Sequence, residues 1–237
     1  PGLWMPLEAM SKPIEIREKR MRNAVVVTVG NRHLGTAKQV DCHLSAQELN
    51  DALRGRGLRV EPPWIDEPGG LRFLEKLRQV LRSKVLPTDD GFVLCLCGHG
   101  SATEFVGNDN VRTSYQAIIH VIDTETELLG ADRSNVLIAD CCQVVTSDGA
   151  DQVQLPKNLL LARSTGFRTR AFEQPGVGNV YSNRLAANIR SHAAAHSVED
   201  LLKKTQGEVH DELTPAPQIA NMGSALGAYH LFLGGTS

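Results

Sequence analysis

Four short apolar runs decide what this chain can become. Asn23 to Val29, Phe92 to Cys97, Asn135 to Ala139 and Leu159 to Ala162 are made almost wholly of Val, Leu, Ile, Phe, Ala and Cys. A strand with one wet face alternates apolar and polar residues. An unbroken apolar run suits a strand that is covered on both faces. The stretches between these runs have helical spacing. Ser45 to Arg56 opens with a capping-box pattern of Ser45 and Glu48. Leu71, Leu74, Leu77, Leu81 and Val85 predict one apolar helix face. Tyr115 to Leu129, Tyr181 to His192 and Val198 to Leu213 predict three more helices, the last ended by Pro215 and Pro217. Leu58 to Val60 and Tyr229 to Leu233 read as further strands, and Glu104 to Val111 as a hairpin around Gly107 to Asn110. Residues 1–22 read as an arm or a short helix, and Val144 to Pro156 as a loop. Strands that alternate with helices predict an α/β fold with a mostly parallel sheet between two helical layers.

Composition narrows the function. With 25 basic and 27 acidic residues the formal net charge is −2, which excludes a general grip on nucleic acid. No apolar run approaches the roughly 18 residues that span a bilayer, so no membrane partner is expected. Pro1 to Lys12 has no basic segment feeding an apolar stretch, so no signal peptide is expected. The five cysteines, Cys42, Cys95, Cys97, Cys141 and Cys142, are odd in number and lie mostly in apolar runs. That pattern predicts reduced thiols and a cytoplasmic protein.

In open α/β sheets, function gathers beyond the carboxyl ends of the strands. Two strand ends here carry reactive residues: Gly98-His99-Gly100 after one, Asp140-Cys141-Cys142 after another. A cysteine nucleophile needs a partner that raises its thiolate fraction, and histidine serves near neutral pH. Glycines beside His99 leave backbone N–H groups open to a developing oxyanion. Asp140 would favour a cationic substrate group. The bland reading stands beside this one: a structural Gly-His-Gly turn, core cysteines, and an aspartate that caps a helix. A soft-metal site from Cys95, Cys97, His99 and Cys142 is a further alternative, although its spacing fits no standard set. A redox pair of Cys141 and Cys142 is another, disfavoured by the strain of a vicinal disulfide.

Leu96-Cys97-Gly98-His99-Gly100 and Ala139-Asp140-Cys141-Cys142 together resemble the two motifs of the caspase-like cysteine peptidases, which include caspases, metacaspases and paracaspases. Gly35-Thr36 with Asp41, the run Leu160 to Thr165, and Ala216 to Phe232 extend the resemblance over roughly residues 23–233. It implies residues 1–22 as an arm and 23–237 as the peptidase domain. Within that domain it implies a large-subunit-like part (23–143), a linker (144–158) and a small-subunit-like part (159–237). It implies an intracellular endopeptidase of the kind used in programmed cell death. Cys142 would be its nucleophile and His99 its general acid–base. The Gly100 and Cys142 N–H groups would form the oxyanion hole, and Asp140, Asp41, Arg32 and Ser164 would line the substrate pocket.

Asp140 and Asp41 imply cleavage after Arg or Lys. Arg32, Arg168 and Arg170 keep cleavage after Asp as the alternative, and an Arg32–Asp140 salt bridge would blunt either. The family's small residue after the nucleophile is absent, since Gln143-Val144-Val145 stand there. A catalytically silent module that binds partners is therefore the rival reading. The linker holds Asp148 and Asp151 but no basic residue before Lys157, so self-cleavage there is not expected of a basic-directed enzyme. No cofactor or resident metal is expected. Calcium activation, as in some metacaspases, is one reading of Asp89-Asp90, but two adjacent carboxylates in a turn read as solvated, and a six-oxygen site cannot be assembled around them. Expected partners are protein or peptide substrates, with a regulatory partner or a second copy.

Overall fold

The computed structural model describes residues 17–33, 40–101, 103–130, 133–141, 153–165, 173–174, 176–212, 221–224, 226 and 229–234. Residues 1–16 of the arm, residues 144–152 of the expected loop, and Pro215 and Pro217 lie outside them.

The chain runs through β1 (Arg17–Met21), β2 (Val25–Gly30), α1 (Cys42–Arg54), β3 (Arg59–Val60), β4 (Trp64–Ile65) and α2 (Gly70–Lys84). It continues with β5 (Gly91–Gly98), the hairpin β6 (Glu104–Val106) and β7 (Arg112–Ser114), α3 (Tyr115–Glu127), β8 (Ser134–Cys141) and β9 (Leu159–Arg163). The hairpin β10 (Glu173–Gln174) and β11 (Gly178–Asn179) leads into α4 (Val180–His192), α5 (Val198–Glu212), β12 (Asn221–Ser224) and β13 (Tyr229–Leu233). Seven strands form the main sheet in the order β12-β9-β8-β5-β2-β3, with β4 also paired to β2. All pairs in it are parallel except β12 with β9.

The four apolar runs are its four central strands. Alternate residues point to opposite faces, and each face is buried. Val26, Val93, Cys95, Cys97, Val136 and Ile138 pack with Leu49, Leu53, Leu185, Ile189 and Leu201 of α1, α4 and α5. Val27, Val29, Leu94, Leu96, Leu137 and Cys141 pack with Phe73, Leu77, Leu81, Ile118 and Ile122 of α2 and α3. At about 25 cal/mol per Å2 of apolar surface, these two layers are the main stabilising term. Cys95 and Cys97 share a face, as a spacing of two requires. Burial pushes the Cys95 thiol up to about 12 and that of Cys97 well above its ordinary value. Protonated thiols are poor metal ligands. Among the described residues no group of three His, Cys, Asp or Glu is placed to hold a metal. Among them, too, no helix is long and apolar enough to cross a membrane.

In its elements the structure departs from the sequence reading at four points. Arg17–Met21 is neither arm nor helix but a strand paired in parallel with β13. That pairing makes β13 part of a separate two-stranded ribbon rather than of the main sheet. Helix α1 starts at Cys42 with Asp41 at its N-cap, so Ser45 lies inside the first turn and caps nothing. Leu71 is 77% exposed; α2 buries Phe73, Leu77 and Leu81 instead, one residue round from the predicted stripe at its start.

Candidate active site

The parallel ladder between β5 and β8 runs in register from Gly91 opposite Ser134 to Gly98 opposite Cys141. His99 and Cys142 are each the next residue along. Two neighbouring central strands therefore bring His99 and Cys141, the residue before Cys142, to one edge of the sheet. Cys142 itself, with Gln143 to Val145, lies outside the described residues. Cys141 is buried on the α2–α3 side. Gly100 forms an antiparallel bridge with Phe105. A Cβ at Gly100 would stand 2.7 Å from the Cys141 Cβ and 2.7 Å from the Glu104 carbonyl oxygen, so only glycine lets this turn lie against the end of β8.

His99 is held from both sides of its backbone. Its carbonyl accepts the Val106 N–H at 3.0 Å, which ties it to the β6–β7 hairpin. Its N–H donates to His33 Nε2 at 3.2 Å. The two imidazoles stack with centroids 4.1 Å apart and 30° between planes. His33 is fully buried and has φ of 51°, in the left-handed region that disfavours side chains. Burial first, and the facing His99 second, lower its pKa from 6.5 to about 4, so it is neutral near pH 7. Asn31, also buried, donates to the Glu67 and Val106 carbonyls at 3.3 and 3.2 Å and accepts the Glu67 N–H at 2.8 Å.

Arg32 is paired with Asp66. Its Nε donates to Asp66 Oδ2 at 2.8 Å, its NH2 group closes a second contact to the same oxygen, and its backbone N–H donates to Asp66 Oδ1 at 2.8 Å. Burial pushes the Asp66 carboxyl up, but Arg32 and the nearby His43 outweigh it, and the net shift is downward. The salt bridge that would have blunted either preference, Arg32 with Asp140, is not what Arg32 makes; its partner is Asp66.

Asp140 faces the α1–α4 side, opposite Cys97 in the ladder, and is fully buried. Its Oδ2 accepts the Ser182 backbone N–H at 3.0 Å and the Ser182 hydroxyl at 2.5 Å. The Asp140 carbonyl accepts Asn179 Nδ2 at 3.2 Å. Ser182 lies in the first turn of α4, where N–H groups lack helical partners, so the carboxylate caps that helix from a neighbouring strand. Among the described residues Oδ1 makes no hydrogen bond of good geometry, although the side chains of Ser164 and Asn179 act on the carboxyl. Burial raises the Asp140 pKa, opposed by the side chains of Ser164, Ser182 and Asn179. Ser164 is buried one residue beyond β9, its N–H donating to the Ala139 carbonyl at 3.0 Å.

Asp41 lies across from the same helix start, accepting the Gly176 N–H on Oδ2 at 2.8 Å. Gly178, at φ 102°, lets this segment touch α1, since a Cβ there would stand 2.4 Å from Ser45 Oγ. Ser45 in turn accepts the Asn179 N–H at 2.6 Å. The structure therefore gathers His99, Gly100, Asp140 and Ser164 at the ends of β5, β8 and β9. Asp41 leans on the segment that holds Asp140, and Arg32 is set apart. Arg168 and Arg170 lie outside the described residues.

Asp89 and Asp90 are not a solvated pair. Asp89 is buried, accepts the Leu86 N–H at 2.6 Å and pairs with Arg59. Asp90 accepts the Arg22 and Asn23 N–H groups at 2.7 and 3.0 Å. Both carboxylates brace the chain entering β2 and β5.

Three supporting residues escaped the sequence reading. His33 and Asn31 follow β2 outside any motif, although they sit at the same edge of the sheet as His99. Thr165 is the third: its hydroxyl donates to the Cys141 carbonyl at 2.9 Å, fixing the peptide plane that leads into Cys142.

A mostly parallel α/β sheet, with a histidine after one central strand and a cysteine after its neighbour, is the frame of a caspase-like cysteine peptidase. The caspase-domain family profile matches residues 21–226, most of the chain. The chain belongs to that family, whose members are cysteine peptidases. No curated protein sequence matches it.

Proposed function

We propose that this protein is a cysteine endopeptidase that uses Cys142 and His99 and cleaves after arginine or lysine. The observation that carries the reading is the β5–β8 register, which ends at Gly98 opposite Cys141, one residue short of both groups. In the proposed reaction the Cys142 sulfur attacks the scissile carbonyl carbon. Its oxygen takes the negative charge and is met by the N–H groups of Gly100 and Cys142. The C–N bond then breaks, and His99 gives its proton to the departing amine. Water hydrolyses the thioester, with His99 taking a proton back. No cofactor or calcium enters these steps.

The basic preference rests on Asp140. A buried carboxylate with one oxygen held by the start of α4, at the end of the strand that leads to Cys142, suits a guanidinium or ammonium group. Asp41, on the other side of the segment that leads into α4, adds negative potential. Cleavage after aspartate loses support from Arg32, whose charge is spent on Asp66.

The test is hydrolysis of fluorogenic peptides that differ only at P1 (Arg, Lys, Asp, Ala), beside the Cys142→Ala protein, with and without calcium. Cleavage after Arg and Lys that disappears in the variant is the expected result. Cleavage after Asp would overturn the pocket assignment. Turnover that survives Cys142→Ala would overturn the mechanism. Failure of every peptide, together with failure of a thiol-reactive probe to label Cys142, would leave the partner-binding module as the better reading.

A further inference from the structure

We infer that His33 is a positioning residue for His99: a buried neutral imidazole that aims the general acid–base through a backbone hydrogen bond and a ring stack. The inference rests on the Cys142–His99 reading and adds to it a residue that neither the motifs nor the family match singles out.

Three observations converge on this residue. The His33 ring accepts the N–H of His99 on Nε2 at 3.2 Å. That role requires a neutral ring with its proton on Nδ1. The same ring lies 4.1 Å from the His99 ring, near enough to parallel to remove most of its rotational freedom. And the chain adopts φ of 51° at His33 to place it there. Left-handed backbone at a non-glycine residue costs about 1 kcal/mol and persists where surrounding structure enforces it. Here Asn31 and the Arg32–Asp66 pair, on either side of the preceding peptide, enforce it.

The arrangement answers a problem set by the glycines. His99 stands between Gly98 and Gly100, so its own turn gives it little stiffness. A general acid must meet the leaving nitrogen within a narrow range of distance and angle. Val106 fixes the carbonyl side of His99 and His33 fixes the amide side together with the ring face. His99 gains a proton in the catalytic cycle, and a neutral neighbour offers it a π face where a charged one would repel it. The titratable groups acting on His33 are His99 and Asp66, and Arg32 and His43 act in turn on Asp66.

The experiment follows alkylation of Cys142 by iodoacetamide against pH, resolved from Cys141 by fragmentation mass spectrometry. The proteins compared are the wild type, His99→Ala, His33→Leu, His33→Phe and His33→Gln, each first checked by thermal unfolding. A thiolate–imidazolium pair alkylates well below the ordinary thiol pKa of about 8.5, and His99→Ala should abolish that acid shoulder. His33→Leu and His33→Phe fill the space without an acceptor and should move the profile toward that of His99→Ala, slowing the reaction near pH 6 about tenfold. His33→Gln can still accept the His99 N–H through Oε1 and should stay within about threefold of wild type. If Leu fails to fold, Phe carries the comparison. Leu or Phe variants that fold and keep the wild-type profile would overturn the inference, as would a Gln variant no better than they are. An unchanged profile in His99→Ala would instead overturn the Cys142–His99 reading, and this inference with it.

Discussion

At the scale of single residues, three groups connect burial to chemistry. His33 has a pKa of about 4 in the fold against 6.5 ordinarily. Between those values the unfolded chain binds a proton that the folded one refuses. The stability His33 contributes is therefore complete above about pH 6.5 and is lost as pH falls toward 4. Two and a half pKa units correspond to roughly 3 kcal/mol at most. Urea unfolding at pH 7 and pH 5 should show this loss, and His33→Leu should flatten it. Asp140 is also buried, and burial raises its carboxyl pKa against the side chains of Ser164, Ser182 and Asn179. Asp140→Asn removes the charge and keeps an acceptor for α4. It should lower kcat/KM for arginyl peptides about 100-fold, and for alanyl peptides far less, because a buried charge pair contributes about 3 kcal/mol to recognition. Gly100→Ala should cost both stability and alkylation of Cys142, since its Cβ would stand 2.7 Å from that of Cys141.

At the scale of elements, the legible part was whatever a period reveals. Four unbroken apolar runs gave four central strands, and stripes at helical spacing gave five helices. His99 and Asp140 were readable because they end such runs. Features that depend on which loop meets which were not readable. Ser45 looked like a cap because Glu48 stands three residues on, yet its hydroxyl serves Asn179, more than a hundred residues away in the chain. Arg32 looked free to reach the pocket because Asp66 sits on a different loop. His33 carried no local signal, since its role lies in a ring 66 residues further on. Helix α4 shows how such long-range contacts act together: its first turn is capped by Asp140 and steadied through Asn179 by Ser45. Ser182→Ala removes one hydroxyl donor to Asp140 and should cost about 1–2 kcal/mol, read as a shift in the urea midpoint. Thr165→Val also strips a buried donor from its acceptor and should cost a similar amount, but it should slow Cys142 alkylation more, because it frees the carbonyl just before Cys142.

At the scale of the whole molecule, the two ends of the described chain meet. The β1 strand lies along β13 in parallel, and Met21 closes the ribbon fully buried, its carbonyl accepting the Gly234 N–H at 2.8 Å. Met21→Ala should cost about 2–4 kcal/mol through the cavity it leaves. Hydrogen exchange should find β1 and β13 opening together, as one cooperative unit. The pairing also has a mechanical meaning. Everything through β8 and everything from β9 onward are woven together at several seams, among them β8 along β9, α1 against α4, and β1 along β13. If the backbone were severed anywhere between Cys141 and Val153, neither half could leave by sliding away from the other along one seam. Such a nicked molecule would persist as an interlocked two-chain particle, separable only by melting it.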